Sequence, residues 1–221
     1  MVFLFLYSSS LLEGYLLKED YFCIMVRDLF DKHLNDGTVD TVLTNEEYNF
    51  SICSYSSSSS KTKLVFTDGL SSNEQQVKTG FEKYRKIELY FCLPDYIEID
   101  KNHWSVQWLI RIAQVPQKFD TWFGAGDTIP AGNPPEELFD RFPANHFMLV
   151  EPMVLKSFFD QESFVKSGIM FLGLLPIEQK ELDYKLRNSW TVLLKKLENK
   201  GITEKVDEFR SSVCRKRFFI F

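Results

Sequence analysis

The chain has 221 residues and a formal charge of −5, and 44% of its residues are hydrophobic, including 21 Phe, 9 Tyr and 4 Trp. That length and that much large apolar surface predict one domain, 1–221, with a sizeable core held by roughly 25 cal/mol for each Å² withdrawn from water. The acidic balance argues against a nucleic-acid or anionic-membrane surface, both of which need positive potential, and suits a basic protein partner.

The opening stretch from Met1 to Leu6 is apolar, but no Lys or Arg precedes it and Ser8, Ser9 and Ser10 interrupt it, so neither a signal peptide nor a membrane span is expected. Residues 11–34 place Leu12, Tyr15, Leu16, Phe22, Val26, Leu29 and Phe30 at a spacing near 3.6, which predicts a helix bent near Glu19 and Asp20. Asn35-Asp36-Gly37 stops it with turn chemistry. Strands are expected over 38–43 and 48–55, with the serine run Ser56 to Ser60 as a hairpin loop between strands. Residues 63–67 and 86–93 are the strongest strand segments, bounded by Asp68-Gly69 and Pro94, and are placed centrally in the sheet.

From Trp104 to Val115 the period becomes helical, with Trp104, Trp108, Ile112 and Val115 on one stripe, His103 helping to begin the helix and Pro116 ending it. Strand character returns over 146–151 and 168–177. One long helix is then expected over 178–200, with Leu182, Leu186, Trp190, Leu193, Leu194 and Leu197 inward and Gly201 as its cap. No βαβ rhythm is present, so the fold class is α+β.

Between the two halves lies Phe119 to Pro135, with three Gly and three Pro around Trp122, Phe123, Asp120 and Asp127. Such a segment is expected to lack regular structure and to form an ordered loop of fixed shape, because Gly permits positive φ whereas Pro stiffens the chain. A loop that merely packs Trp122 over a sheet end is the plainer alternative. Gly124-Ala125-Gly126 leads to an acid and prolines and not to a helix start with Lys, which disfavours a phosphate cradle. Asp120 and Asp127 offer a carboxylate pair to a hydrolase reading, although their spacing fixes no distance.

His33, His103 and His146 have no second ligand at metal spacing, so no metal or other cofactor is expected. No nucleophile elbow occurs, and no catalytic residue is assigned. Cys23, Cys53, Cys92 and Cys214 include no Cys-x-x-Cys pair, which fits reduced thiols in the cytoplasm, with Cys92 an inert core residue. Arg210, Arg215, Lys216 and Arg217 before Phe218 to Phe221 read as a solvated terminus and not as a membrane hook.

Several runs together resemble the suppressor of fused domain in its bacterial, single-domain form. They are Lys63 to Ser71, Ile87 to Pro94, Trp108-Leu109, Asp120 to Gly124, Gly126 to Pro130, Pro134-Pro135, Ile169 to Ile177 and the ending Arg210 to Val213, so the resemblance covers about residues 35–215. It implies a mixed, largely antiparallel sheet flanked by helices and no enzymatic activity. Animal relatives hold a short segment of a transcription factor; bacterial members are linked to polymorphic toxin systems as immunity proteins, and this setting is the closer match. The resemblance makes Asp127, after Gly126, the counterpart of an acid at the animal peptide-binding cleft, while the aromatic found about twelve residues earlier in those relatives falls near Val115 here. A carboxylate suits such a cleft, since it accepts charge-assisted hydrogen bonds.

The resulting expectation is a non-enzymatic protein-binding domain, an immunity protein neutralising a cognate toxin, with an adaptor or scaffold module as the alternative. Asp127, Trp122, Asp120, Thr128 and Pro130 are its expected contact residues.

Overall fold

The computed structural model describes residues 25–33, 38–57, 61–138 and 142–214. Its frame is a seven-stranded sheet of β1 (Val39–Asn45), β2 (Phe50–Ser57), β3 (Thr62–Asp68), β4 (Ile87–Pro94), β5 (Thr128–Pro130), β6 (Ala144–Val150) and β7 (Met170–Glu178), in the order β1-β2-β3-β4-β7-β6-β5. Neighbours run antiparallel except β4 and β7, which are parallel. The expected α+β class with a mixed, largely antiparallel sheet is what the chain forms.

Alternation along the strands distributes side chains to opposite faces. In β4, Leu89, Phe91 and Leu93 enter the core on one face, while Tyr90 and Cys92 enter a second core on the other. Burial on both faces explains why this strand reads as a continuous apolar run, as does β7 beside it. The helix α2 (Trp104–Ala113) covers the first face through Val106, Leu109 and Ile112. The opposite face is shared. Helix α1 (Met25–His33) inserts Phe30 against Phe66, stacked at 4.3 Å, and against Phe164 and Phe171 edge-on. Further along, α7 (Trp190–Glu198) packs Leu193 and Leu197 on Met148, Val150 and Leu175.

Several expectations need correction. The helix foreseen over 178–200 is two helices, α6 (Gln179–Arg187) and α7, because Asn188 leaves helical geometry and Ser189 restarts the chain as a cap, its hydroxyl accepting from the Val192 amide at 3.3 Å. Leu186, expected inward, is 72% exposed. The cap of α7 is Asn199, while Gly201 at φ +71° turns the chain just beyond. Pro116 does not simply end α2, which stops at Ala113. It sits in the first turn of α3 (Val115–Phe119), where a missing N–H leaves no helical bond unmade. The Gly/Pro segment is not wholly irregular, since Thr128–Pro130 is an edge strand paired with β6. Proline is tolerated on an edge, where it need not donate to a further strand.

His103 caps α2 as expected, accepting from the Ser105 amide. Cys53, Cys92 and Cys214 are free thiols, and burial pushes the Cys92 thiol up to about 12. Residues 11–24 of the expected N-terminal helix, most of the serine loop and the tail from Arg215 to Phe221 lie outside the described residues. No helix among the described residues is long and apolar enough to cross a membrane.

Two buried carboxylates pin the frame. Glu88 on β4 accepts from the Ser71 amide and hydroxyl at 2.9 and 2.7 Å, from the Thr67 hydroxyl and from the Gly69 amide. Burial nevertheless pushes its carboxyl up from 4.5 to about 7. Because the fold then holds the proton more tightly than the open chain, this group's contribution to stability is full below about pH 4.5 and lost as pH rises through about 7. Glu88→Gln is expected to flatten the fall in urea midpoint over that window; identical profiles for variant and parent would refute the assignment.

On α6, Glu181 receives the Arg210 guanidinium through two bonds of 2.8 and 2.7 Å, together with the Val213 amide at 3.0 Å. Burial raises this carboxyl, but Arg210, together with the Glu178 and Val213 amides, leaves it below its ordinary value. Arg210→Ala leaves that charge buried and unpaired and is expected to lower stability by about 3–5 kcal/mol, measurable by chemical denaturation. A loss no larger than that of an exposed Arg substitution would contradict it.

Candidate functional site

The rim is the segment from Phe119 to Pro135, which leaves α3 and returns as β5 at the edge of the sheet. Its shape follows from three kinds of restraint. A buried side-chain amide acts first: Gln75 donates to the carbonyls of Tyr84 and Phe123 at 2.6 and 3.0 Å and accepts the Phe123 amide at 2.8 Å. One glutamine thus satisfies three backbone groups that burial would otherwise strand.

The carboxylate of Asp127 acts within the turn, accepting the Gly124 amide at 2.8 Å, while the Asp127 amide donates to the Gly124 carbonyl at 3.2 Å. Backbone bonds then splice the turn to β6, from Gly126 to the Leu149 carbonyl at 2.8 Å and from Leu149 to the Asp127 carbonyl at 2.9 Å.

Aromatic rings supply the third restraint. Trp122 is half-buried, 5.1 Å from Phe81 and 6.4 Å from Tyr84 between ring centroids. On the far side of the turn, Trp190 lies so close to Gly126 that an added Cβ would stand 2.4 Å from its ring, at a φ of +91° that already favours glycine. The turn is therefore held between two tryptophans.

The five expected contact residues fall as follows. Asp120 is exposed and left-handed at φ 48°, closing α3. Trp122 belongs to the aromatic group with Phe81 and Tyr84. Asp127 is exposed, yet one of its oxygens is committed to the turn. Thr128 accepts from the Lys185 ammonium at 3.2 Å, and Pro130 is exposed on β5 opposite His146. Burial lowers the Lys185 pKa, against the opposing pull of Asp127. Both rim acids are open to solvent.

Beside the aromatic group, Glu151 accepts from Lys83 at 2.5 Å and from the Tyr84 hydroxyl at 2.8 Å. Burial raises the Glu151 carboxyl, but Lys83 and Tyr84, with the charge of Lys156, leave it below its ordinary value. Among the described residues no cluster of three or more His, Cys, Asp or Glu is placed to hold a metal ion.

Gln75, Lys185, Trp190 and Glu151 were not foreseen as parts of this site. Gln75 sits in the polar run Asn73 to Gln76, which has no periodicity to mark it; Trp190 was legible only as an apolar helix position.

The model of the family described as suppressor of fused protein (SUFU) matches residues 46–211. The chain belongs to the suppressor of fused family. A solved structure of a putative SUFU homolog from Neisseria gonorrhoeae superposes with a TM-score of 0.65 at 18% identity, covering 89% of this chain and 99% of that one. The Sufu–Fu complex structure follows with a TM-score of 0.55 at 14% identity, covering 88% and 91%. No curated protein matches the chain. The suppressor of fused match takes in every restraint on the rim, from Gln75 to Trp190, and leaves α1 outside it.

Gly126→Ala tests the packing of the rim. It is expected to lose more stability than Gly80→Ala, which has a similar φ of +92° but open space around the new Cβ. Overpacking of this kind costs typically about 1–3 kcal/mol beyond backbone strain. Equal melting temperatures for the two variants would show that Trp190 does not clamp the turn.

Proposed function

We propose that this suppressor of fused domain is a non-catalytic binding module that presents the rim to another protein. The observation that carries the reading is the rim itself: a turn fixed by Gln75, Asp127 and two tryptophans that leaves Asp120, Asp127 and Pro130 exposed. A preformed surface binds without the entropic cost of ordering a loop, and interface energy concentrates in a few aromatic and charged anchors. The structural neighbour solved as the Sufu–Fu complex is consistent with the same role for this chain.

The finer reading is a cytoplasmic immunity protein that docks on a cognate toxin, blocking it through steric and electrostatic complementarity. The formal charge of −5 supports it, because an acidic inhibitor associates faster with a cationic target. Co-expression with the product of an adjacent gene tests this directly: rescued growth with a stable one-to-one complex is the expected result, and growth inhibition that the chain does not relieve would discard it. An adaptor would instead hold several unrelated partners.

Within such a complex, Asp127→Asn keeps an oxygen for the Gly124 amide while removing the charge. It is expected to weaken binding about tenfold and to reduce its salt dependence. Full affinity with an unchanged salt slope would remove the rim from the interface.

A further inference from the structure

A second surface lies where β4 leaves the sheet. A cleft of about 550 Å³ opens there between Lys61 ahead of β3, the Pro94-Asp95-Tyr96 turn and the segment from Lys200 to Phe209 that follows α7. It shares no residue with the rim. Tyr96 and Phe209 both line it, and at 75% and 89% they are the most exposed large apolar side chains among the described residues.

The wall beneath these rings is fixed in the isolated chain. Buried Glu204 accepts from the Tyr90 hydroxyl at 3.0 Å and from the Met153 and Val154 amides at 2.8 and 3.0 Å. Next to it, the Val206 amide donates to the Cys92 carbonyl at 2.8 Å and the Val206 side chain joins the core. The Asp207 carboxylate then accepts from the Phe209 amide at 2.9 Å, closing the turn that presents the ring.

Charges of both signs stand around the rings. Lys61, Lys200 and Lys205 share the cleft with Asp95, Asp207 and Glu208, and none of the six forms an ion pair with another described residue. The Lys205 ammonium donates to the Lys61 carbonyl at 2.7 Å, which gathers two cations beside β3, whereas Asp207 and Glu208 lie on the turn at Phe209.

We infer that this face is a two-fold interface between two copies of the chain. A two-fold contact sets one patch against itself, so the patch must be its own complement. Here a second copy brings acids to the lysines, lysines to the acids, and rings to the rings. The local balance of three cations and three anions lets two copies meet without the repulsion that a net charge of −5 imposes elsewhere. Open aromatic rings on a preformed wall supply the anchors.

The cleft is lined by 13 residues, fewer than the roughly 20–30 a side of a standard interface, which suits a weak dimer. Sedimentation equilibrium of the full chain from about 1 to about 500 µM is expected to show the mass rising to twice the monomer value. Phe209→Ser is expected to weaken association at least about tenfold while leaving the urea midpoint unchanged, because the ring lies outside the core. Lys61→Glu and Glu208→Lys should each weaken self-association, and an equimolar mixture of the two should restore it as a mixed dimer. A parent chain that stays monomeric throughout, a dimer indifferent to Phe209→Ser, or a mixture no tighter than either variant alone overturns the inference.

Discussion

The parallel pairing of β4 with β7 is the constraint from which the rest of the architecture follows. Two parallel neighbours cannot be joined by a hairpin, so the chain between Pro94 and Met170 must leave the sheet and return. That excursion carries α2, α3, the rim, β5 and β6, and it returns as α4 (Lys156–Phe159) and α5 (Glu162–Ser167) on the opposite face. Because β4 and β7 are buried on both sides, their covering helices are obligatory, and the excursion supplies most of them. The rim is thus the exposed turn of a connection that the core already demands.

What makes that turn a surface of fixed shape is an exchange between close packing and polar satisfaction. Gly124 and Gly126 allow rings to approach the backbone on both sides, and approach excludes water from the amides. Gln75, Asp127 and the Leu149 backbone then replace the lost hydration. Neither half works alone. Rings without acceptors would strand polar groups, and acceptors without rings would leave a loop free to move.

How much of this could be read from the residues depended on the range of the interaction. The strand segments around Leu64 and Phe91 were legible because β-branched and aromatic runs between turn residues have few other solutions. The cap at His103 was equally local. The break at Asn188-Ser189 was not, since the apolar period continues through it and only the capping hydroxyl of Ser189 distinguishes two helices from one. The bond from the Gly124 amide to Asp127 was not foreseen, because the resemblance gave Asp127 a contact role and not a part in holding the turn. Gln75 was beyond reach, because its partner at Phe123 is 48 residues away and a polar residue in a polar run carries no mark of burial.

The Glu181–Arg210 pair bears on how the domain can be handled. Arg210 reaches Glu181 and the Pro176 carbonyl from a segment without regular structure, and Val213 adds its amide to the same carboxylate. The last stretch of described backbone is therefore an internal strut that happens to stand near the end of the sequence. Any fusion junction or trimmed boundary belongs beyond Val213, because a cut before Arg210 would strip the counter-ion from α6, the helix whose Lys185 meets the rim at Thr128.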